Sequence, residues 1–476
     1  MSSGTPSAAF ERMFIVRQTK TPSVFPRTGA FIQPVAWIVL SALLTATLVL
    51  VSTQNPIPHL SIVITGLTLL VGTSIAIYCM RYMRSDERRT LFFATLIALV
   101  LSVLLFVLAD NVIIFSIGWL SSGLLLASLI GHAKEWKEAD MAARRSRKAF
   151  LIGDAAVLGA LAMLCWNAGT WQLSAAVSAL SGITTPFLNI IALLLLIGAA
   201  ARCALPPFSG WLLSSMTAPT PVSALMHAGL VNAGGFLLLR FAPVLEAAPS
   251  VRYIVVATGF FAALWGIGVM MVKPDIKRSL AGSTVSQMGF MIMSCGLGAY
   301  AVALWHIVAH GLFKAWLFLD AGSSIGMKVD RRPSLEPRLV AFVAVAAVVI
   351  GSLLASTRTI TAELVPLLLA VSTAFATLGG IVASDLRIKS RIALVGGLMA
   401  VMMLHVVGFE TASALLPVAI GPSLSPILTV LLLSAFLGSW VWQSRRITSR
   451  KPLPAPLYVR LLNAGMIHPA RTGDRP

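Results

Sequence analysis

The chain has 476 residues, 57% hydrophobic and only 11% charged, with a mean hydropathy of +0.88. A water-soluble globule could not cover that much apolar surface, so the composition excludes one and indicates a polytopic membrane protein. The net charge of +19 would suit nucleic acid, but the basic groups are spread over short connections and form no single patch, which argues against that partner.

Residues 1–31 are polar and basic and read as a cytoplasmic extension, with Phe10, Met13, Phe14 and Val16 giving it some amphipathic character. Apolar runs of about 20 residues follow, the length that crosses roughly 30 Å of hydrocarbon. Fourteen such spans are predicted, near 32–52, 59–80, 91–109, 111–131, 149–168, 187–216, 222–245, 252–272, 279–297, 299–324, 338–355, 361–384, 392–410 and 423–443. None alternates like a barrel strand, and backbone facing lipid must satisfy its own hydrogen bonds, so the expected fold is all-α. Residues 32–443 then form one transmembrane domain, and 444–476 a cytoplasmic tail. Of the 36 Lys and Arg, 31 lie in alternate connections, a positive-inside bias that puts both termini in the cytoplasm. Cys79, Cys165, Cys203 and Cys295 fall in or at the ends of spans without CxxC pairing, which argues against a disulfide framework or zinc site in this chain. Dinucleotide fingerprints, haem motifs and cluster-forming cysteine sets are also missing from the sequence, so a redox enzyme, the third reading, has little support.

An ionised side chain at membrane depth is costly and usually faces a wet or protein-lined interior. The groups needing such an explanation are Arg202, His227, Arg240, His306, His310 and Lys314, with Asp110, Asp154 and His405 as further cases. His306, His310 and Lys314, in WHIVAHGLFKAWLFL, follow i, i+4, i+8 spacing, so they line one helix face over roughly 12 Å. One reading is a proton relay, because a histidine can donate from one ring nitrogen while accepting on the other, and a buried lysine gives up its proton more readily than one in water. The other is that Lys314 snorkels to the interface while the histidines bond to neighbouring helices. A metal held by the HxxxH pair is a weaker option, with no third ligand nearby in sequence. Between Gly198 and Arg240 an apolar run carries Arg202 and then meets Pro206 and Pro207, which interrupt a helix. A broken helix at this depth lines a cavity, and its freed carbonyls help to coordinate ions; the alternative is a simple kink.

The segments LPPFSGWLLSSMTAPTPVSALMHAGLVNAGGFLLLR, KPDIKRSLAGSTVSQMGFMIMSCGLGAYAVALWHIVAHGLFKAWLFLDAGS and RYMRSDERRTLFFATLIALVLSVLLFVLADNVIIFSIGW resemble the proton-translocating antiporter-like membrane subunits, namely the NuoL-type subunits of complex I and the large Mrp antiporter subunits. The likeness covers about residues 60–327. It implies about fourteen transmembrane helices in two inverted five-helix repeats, each with one broken helix, around a polar axis. By that resemblance Arg202 stands where the family has a lysine, His227 matches the PTPVSALxHA histidine, and His306, His310 and Lys314 match the central HxxxHxxFK file.

The sequence departs from the family pattern in three places. Leu120 stands where a glutamate usually pairs with the lysine; the lysine itself is Arg202, and a guanidinium, which holds its proton far more tightly than an amine, suits a gate better than a proton carrier; and the second half has no lysine between 361 and 384 and is expected to lack a long lateral helix. These departures resemble the short DabB branch, membrane subunits of inorganic-carbon accumulation systems whose partner, DabA, is a large zinc protein similar to β-carbonic anhydrases. The resemblance implies a proton-conducting subunit in the bacterial inner membrane, without a catalytic site or cofactor of its own, driving CO2 hydration by a zinc-bearing partner. Lys314 would be the switchable charge, His306 and His310 relay members, His227 the link between halves, Arg202 a gate, and Asp110 a carboxylate receiving protons at the surface or a helix cap. A complex I-like, hydrogenase-linked or Mrp pump, and a scaffold that has lost conduction, are the competing expectations.

Overall fold

The computed structural model describes residues 58–321, 362–382, 387–416, 425–449 and 453–466, with position 384 and a few positions between 341 and 349. The expected N-terminal extension, the span at 32–52, most of the span at 338–355 and tail residues 467–476 lie outside the described residues. Within them the secondary structure is helical, and the β pairing is one isolated bridge between Asn111 and Gln172.

Helices α1 (His59–Tyr82), α2 (Arg89–Leu108), α3 (Val112–Ile130) and α4 (Lys137–Ala168) follow in succession. Asn111 starts α3 by accepting hydrogen bonds from the amides of Ile113 and Ile114, the usual way an Asx side chain satisfies a helix's first donors. Against the expected span of 149–168, α4 begins about three turns earlier. Its added stretch, KEADMAARRSRK, is rich in strong helix formers, has Glu138 and Asp140 in the first turn, and closes an Asp140–Arg144 pair four residues apart at 2.5 Å. Charge ends the apolar run before it ends the helix.

The next segments hold the interruptions. α5 (Leu173–Ser178) is a short surface turn; α6 (Thr185–Arg202) stops at the arginine; α7 (Ser209–Ser214) resumes beyond the prolines. The expected span at 222–245 is itself divided into α8 (Thr220–Ala228), α9 (Ala233–Arg240) and α10 (Ala242–Glu246), with a 3-10 turn at Leu230–Asn232. Gly229 ends α8, and the Asn232 side chain donates from Nδ2 to the freed Ala228 carbonyl at 2.8 Å, so the break leaves that group satisfied. Then come α11 (Pro249–Val272), α12 (Ile276–Leu297), α13 (Tyr300–Asp320), α14 (Leu364–Val382), α15 (Ile388–Leu415), α16 (Pro426–Thr448) and the short α17 (Ala455–Asn463).

Eleven stretches of the described residues are long and apolar enough to cross a membrane. α12 has the length and falls outside that set; it carries Ser279, Ser283, Thr284, Ser286 and Gln287. The outside of the bundle is apolar, with Leu101, Leu124, Leu151 and Trp166 exposed, as a hydrocarbon solvent requires. The stretch Thr220–Arg240 is 94% buried within the protein, against 6% for α15. α8 and α9 are therefore the axis, and α15 is peripheral. On the side that the charge bias assigns to the cytoplasm, α17 lies beneath the bundle: Leu461 is buried, and the Lys273 ammonium donates to the carbonyls of Leu462 and Ala464 at 2.7 and 2.8 Å.

Candidate functional site: a buried ion pair and a histidine and lysine file

Arg202, the last residue of α6, is 3% exposed. Its guanidinium donates to a carboxylate oxygen of Asp154 on α4 at 2.8 Å, to the Trp119 carbonyl at 2.6 Å and to Ser122 Oγ at 3.3 Å. It also lies 4.6 Å from the Trp119 ring and 4.9 Å from the Phe150 ring, placements in which aromatic faces attract a cation. Trp119, Ser122 and Gly123 form the i, i+3, i+4 face of α3 that receives it. A methyl at Gly123 would stand 2.9 Å from both terminal guanidinium nitrogens, so the glycine makes the room. α4 reaches Arg202 because it packs closely on α6: a Cβ on Gly153 would meet Ala201 at 2.5 Å, and one on Gly198 would meet Val157 at 2.2 Å. The carboxylate that pairs with Arg202 is therefore Asp154 on α4, the helix after the one that carries Leu120.

Immediately beyond Arg202 the chain unwinds. Ala204 has a positive φ of 54°, the Pro206–Pro207 bond is cis, and α7 restarts at Ser209. Two of the carbonyls freed here have donors from the chain beyond the break. Ala200 accepts from the Leu205 amide at 2.9 Å, and Ala201 from the Trp211 indole at 2.8 Å. Folding back of the chain and of Trp211 supplies these two donors, and each carbonyl keeps a second lone pair. Cys203 ties the break to the axis by donating from Sγ to the Val231 carbonyl at 3.0 Å.

The second group lies where α8, α12 and α13 meet. Lys314, 2% exposed, donates to Ser283 Oγ at 3.0 Å and to the Leu280 carbonyl at 3.2 Å. Among the described residues it forms no ion pair with a carboxylate. His227 on α8 is fully buried, stacks on Phe318 with centroids 4.2 Å apart, and places Nδ1 3.0 Å from Thr284 Oγ1. Thr284 donates its single hydroxyl proton to the Leu280 carbonyl at 3.0 Å. That assignment makes His227 Nδ1 the donor to Thr284 and leaves Nε2 as the bare nitrogen. One hydrogen-bonded circuit therefore joins Lys314 to His227 through Leu280 and Thr284. The rings of His310 and His306 stack 5.5 Å apart along α13, and His306 leans on Phe290 at 5.4 Å. The Nε2 atoms of His227, His306 and His310 find no protein partner among the described residues.

The structure brings together most of the residues singled out from sequence. His306, His310, Lys314 and His227 share one buried locus, and Arg202 sits beside its break at Pro206 and Pro207 in the pair just described. Asp110 lies elsewhere: its carboxylate accepts from the Ser174 amide at 2.9 Å and the Ser174 hydroxyl at 2.7 Å, with Arg240 at 3.9 Å, so it caps α5 at the surface. Arg240 clamps the same end through the carbonyls of Val107 and Ala109. Asp154 stood out in the sequence only as an acid at depth, with nothing to name its partner 48 residues away. Ser283 and Thr284 gave no usable signal, because hydroxyls in helices commonly bond back to their own carbonyls, as Thr284 does here.

A bundle of membrane helices broken beside a buried arginine, with histidines and a lysine filed along an inner helix, defines a membrane subunit of the antiporter-like class, a transport protein in kind. The chain belongs to the transmembrane family described as NADH:quinone oxidoreductase/Mrp antiporter, which it matches over residues 109–357. It is 39% identical over 261 residues to NADH-quinone oxidoreductase subunit L of Mycobacterium tuberculosis, covering 54% of this chain and 41% of that one. It is 37% identical over 272 residues to the probable inorganic carbon transporter subunit DabB1 of Halothiobacillus neapolitanus, covering 56% and 48%, and 36% identical over 269 residues to DabB of Bacillus subtilis, covering 56% and 53%. The chain spans about half the length of these relatives. The Mrp complex from Dietzia sp. aligns with 92% of this chain and 51% of its own at a TM-score of 0.57 and 24% identity. An archaeal membrane-bound sulfane sulfur reductase aligns with 92% and 94% at a TM-score of 0.55 and 16% identity. Both support the fold.

Proposed function

We propose that this chain is a proton-conducting membrane subunit of an inorganic-carbon accumulation complex. The observation that carries the conduction reading is Lys314, a buried cation held by a hydroxyl and a carbonyl, with no carboxylate paired to it among the described residues, and joined through Thr284 to His227. A charge compensated only by dipoles is one that proton gain and loss can alter without stranding a buried counter-ion. His310 and His306 continue the file in the direction that the charge bias assigns to the outside. Arg202, paired with Asp154, acts as a fixed gate between this file and the helix break.

In this reading protons move down their gradient through the subunit, and the energy makes CO2 hydration by a bound partner effectively one-way. The partner is a DabA-like zinc protein similar to carbonic anhydrases; the chain itself needs no cofactor. The complex sits in a bacterial inner membrane, with both termini of the chain in the cytoplasm and the basic loops on the partner's side. Support comes from relatives named as inorganic carbon transporter subunits and from the departures at Leu120 and Arg202. The similarity to subunit L of an NADH-quinone oxidoreductase favours a second reading, a proton-pumping or antiporter subunit of a complex I-like or Mrp assembly. The deciding experiment is proton uptake by vesicles containing the purified complex, with Lys314→Ala and His310→Ala beside wild type. Loss of uptake in both supports conduction. Full uptake or full bicarbonate accumulation in both overturns the relay and leaves a scaffold. A co-purified zinc protein that hydrates CO2 supports the inorganic-carbon role, and a redox partner overturns it.

A further inference from the structure

The last described helix carries more apolar surface than the protein covers. At about 100° per residue, Leu457, Tyr458, Leu461 and Leu462 of α17 fall within about 140° of the helix wheel, with Arg460 and Asn463 on the opposite side. Leu461, 3% exposed, is packed against the bundle: a Cβ on Gly268 of α11 would stand 3.0 Å from both of its δ carbons. Lys273 holds the end of the helix through the carbonyls of Leu462 and Ala464. Gly465, in the left-handed region at φ 73°, then lets the chain pass so close to Leu213 of α7 that no Cβ would fit there. Arg145 on α4 adds a bond to the Met466 carbonyl at 3.4 Å. These fastenings lie at or beyond Leu461. Upstream of it the same stripe is open, with Leu457 38% and Tyr458 42% exposed, and Val459 at its margin 51% exposed.

What covers that open half follows from depth and charge. Gly268 lies four residues before Val272, the last residue of α11, so α17 meets α11 roughly 6 Å inside the end that the charge bias assigns to the cytoplasm. An amphipathic helix in the plane of a membrane buries its apolar face about 5–10 Å into the boundary between headgroups and acyl chains. A tyrosine, with an apolar ring and a polar tip, suits the same level. The charge around it is of one sign. From Gln443 to Met466 the sequence has five basic residues and no acidic one. Of these, Arg445 and Arg460 are exposed, and Arg446 lies over the Trp442 ring at 5.0 Å. α16 and α17 are joined by only six residues, so these cations act on one stretch of surface. A basic cluster just beyond a transmembrane helix meets the negative potential of the cytoplasmic leaflet. An acidic protein surface would match the cations, but it would have to reach below headgroup level to cover Leu457 and Tyr458.

We propose that α17 and the end of α16 form a binding site for acidic phospholipid of the cytoplasmic leaflet. Leu457 and Tyr458 rest among the first methylenes of the acyl chains, and Arg445, Arg446 and Arg460 face the headgroup phosphates. The lipid then completes the seating of a helix whose far end, through Gly465 and Leu213, lies against α7, the segment that resumes beyond the helix break. The site stands whether or not the chain conducts protons.

The full-length protein, with any subunit that co-purifies, is placed in nanodiscs with a bimane fluorophore on Leu457→Cys or Asn463→Cys. The four native cysteines are buried and do not compete for the label. Quenching is followed as phosphatidylglycerol or phosphatidylcholine, each brominated near the glycerol end of its acyl chains, replaces unbrominated phosphatidylcholine. Quenching at Leu457 is expected to exceed that at Asn463 by at least ~3-fold, since only the first faces the chains. Each cation near an anionic surface contributes about 5-fold in affinity, so half-quenching should need at least ~5-fold less phosphatidylglycerol than phosphatidylcholine. Arg445→Gln with Arg460→Gln should erase that preference, and Arg445→Lys with Arg460→Lys should retain it. No quenching at Leu457 by either lipid means that water or a partner protein covers the stripe, and overturns the proposal. Equal quenching by the two lipids, a preference that survives both glutamine substitutions, or one lost with both lysines overturns the headgroup site. Free glycerol phosphate in the buffer should leave the preference unchanged; its loss would assign the cations to a soluble anion and overturn the lipid.

Discussion

The Arg202–Asp154 pair supports a quantitative test. The side chains are 3% and 8% exposed and meet at 2.8 Å. Removing one member of a buried pair costs about 3–5 kcal/mol, because the other charge is left uncompensated. Asp154→Ala should fall near the lower end, about 3 kcal/mol, since the guanidinium keeps the Trp119 carbonyl, Ser122 and two aromatic faces. Arg202→Met should approach about 5 kcal/mol, because the carboxylate loses its paired cation in a region otherwise walled by Trp119 and Phe150. The double variant should cost no more than about 2 kcal/mol, because replacing both charges by apolar groups leaves nothing buried and unpaired. The expected coupling is therefore several kcal/mol. Equilibrium unfolding of the four proteins in mixed micelles, followed by tryptophan fluorescence, measures it. Additivity within about 0.5 kcal/mol would falsify the claim that Asp154 has taken over the role vacated at Leu120.

Three further outcomes follow from the same geometry. Thr284→Val keeps the side-chain shape but removes the hydroxyl linking His227 to the Leu280 carbonyl, so proton uptake should drop by at least ~10-fold, a loss of about 1.4 kcal/mol or more, and Thr284→Ser should restore it. Gly311→Ala puts a methyl 2.8 Å from the Ala228 carbonyl; forcing α13 from α8 should cost about 1–3 kcal/mol in unfolding experiments. Lys273→Met removes both of its hydrogen bonds to the end of α17, and trypsin should then cleave after Arg460 faster than in wild type, with cleavage elsewhere unchanged.

Much of the fold was legible because lipid imposes one rule, that each crossing needs about 20 apolar residues and internally paired backbone. Where that rule was silent the boundaries moved. KEADMAARRSRK is helical but charged, so the start of α4 could not be found from hydropathy. The break at Gly229 was invisible because a lone glycine in an apolar run has many uses, and its stabilising partner, Asn232, acts only once the turn exists. The site divides in the same way. The file His306, His310, Lys314 could be read from spacing along one helix, whereas the Arg202–Asp154 pair depends on the close approach of α4 and α6 at Gly153 and Gly198, which periodicity does not encode. Leu120 read alone suggested that Arg202 lacked a carboxylate; the structure pairs it with Asp154 on the next helix.

The two buried cations are held in opposite ways. Arg202 is fixed by a carboxylate, a carbonyl, a hydroxyl and two rings, and a guanidinium does not deprotonate in proteins. Such a group sets a constant potential. Lys314 meets only Ser283 and the Leu280 carbonyl, so a change in its charge strands no anion. In the proposed conduction reading, a lysine opposite a glutamate in both halves would let either site load a proton; with arginine and aspartate locked together in the first, proton exchange would concentrate at Lys314 and the histidines beside it. Arg202→Lys is therefore the informative reversal. Restoring a titratable amine next to Asp154 should leave uptake dependent on Lys314 yet alter its pH profile, and an unchanged profile would argue that Arg202 does not govern the file electrostatically.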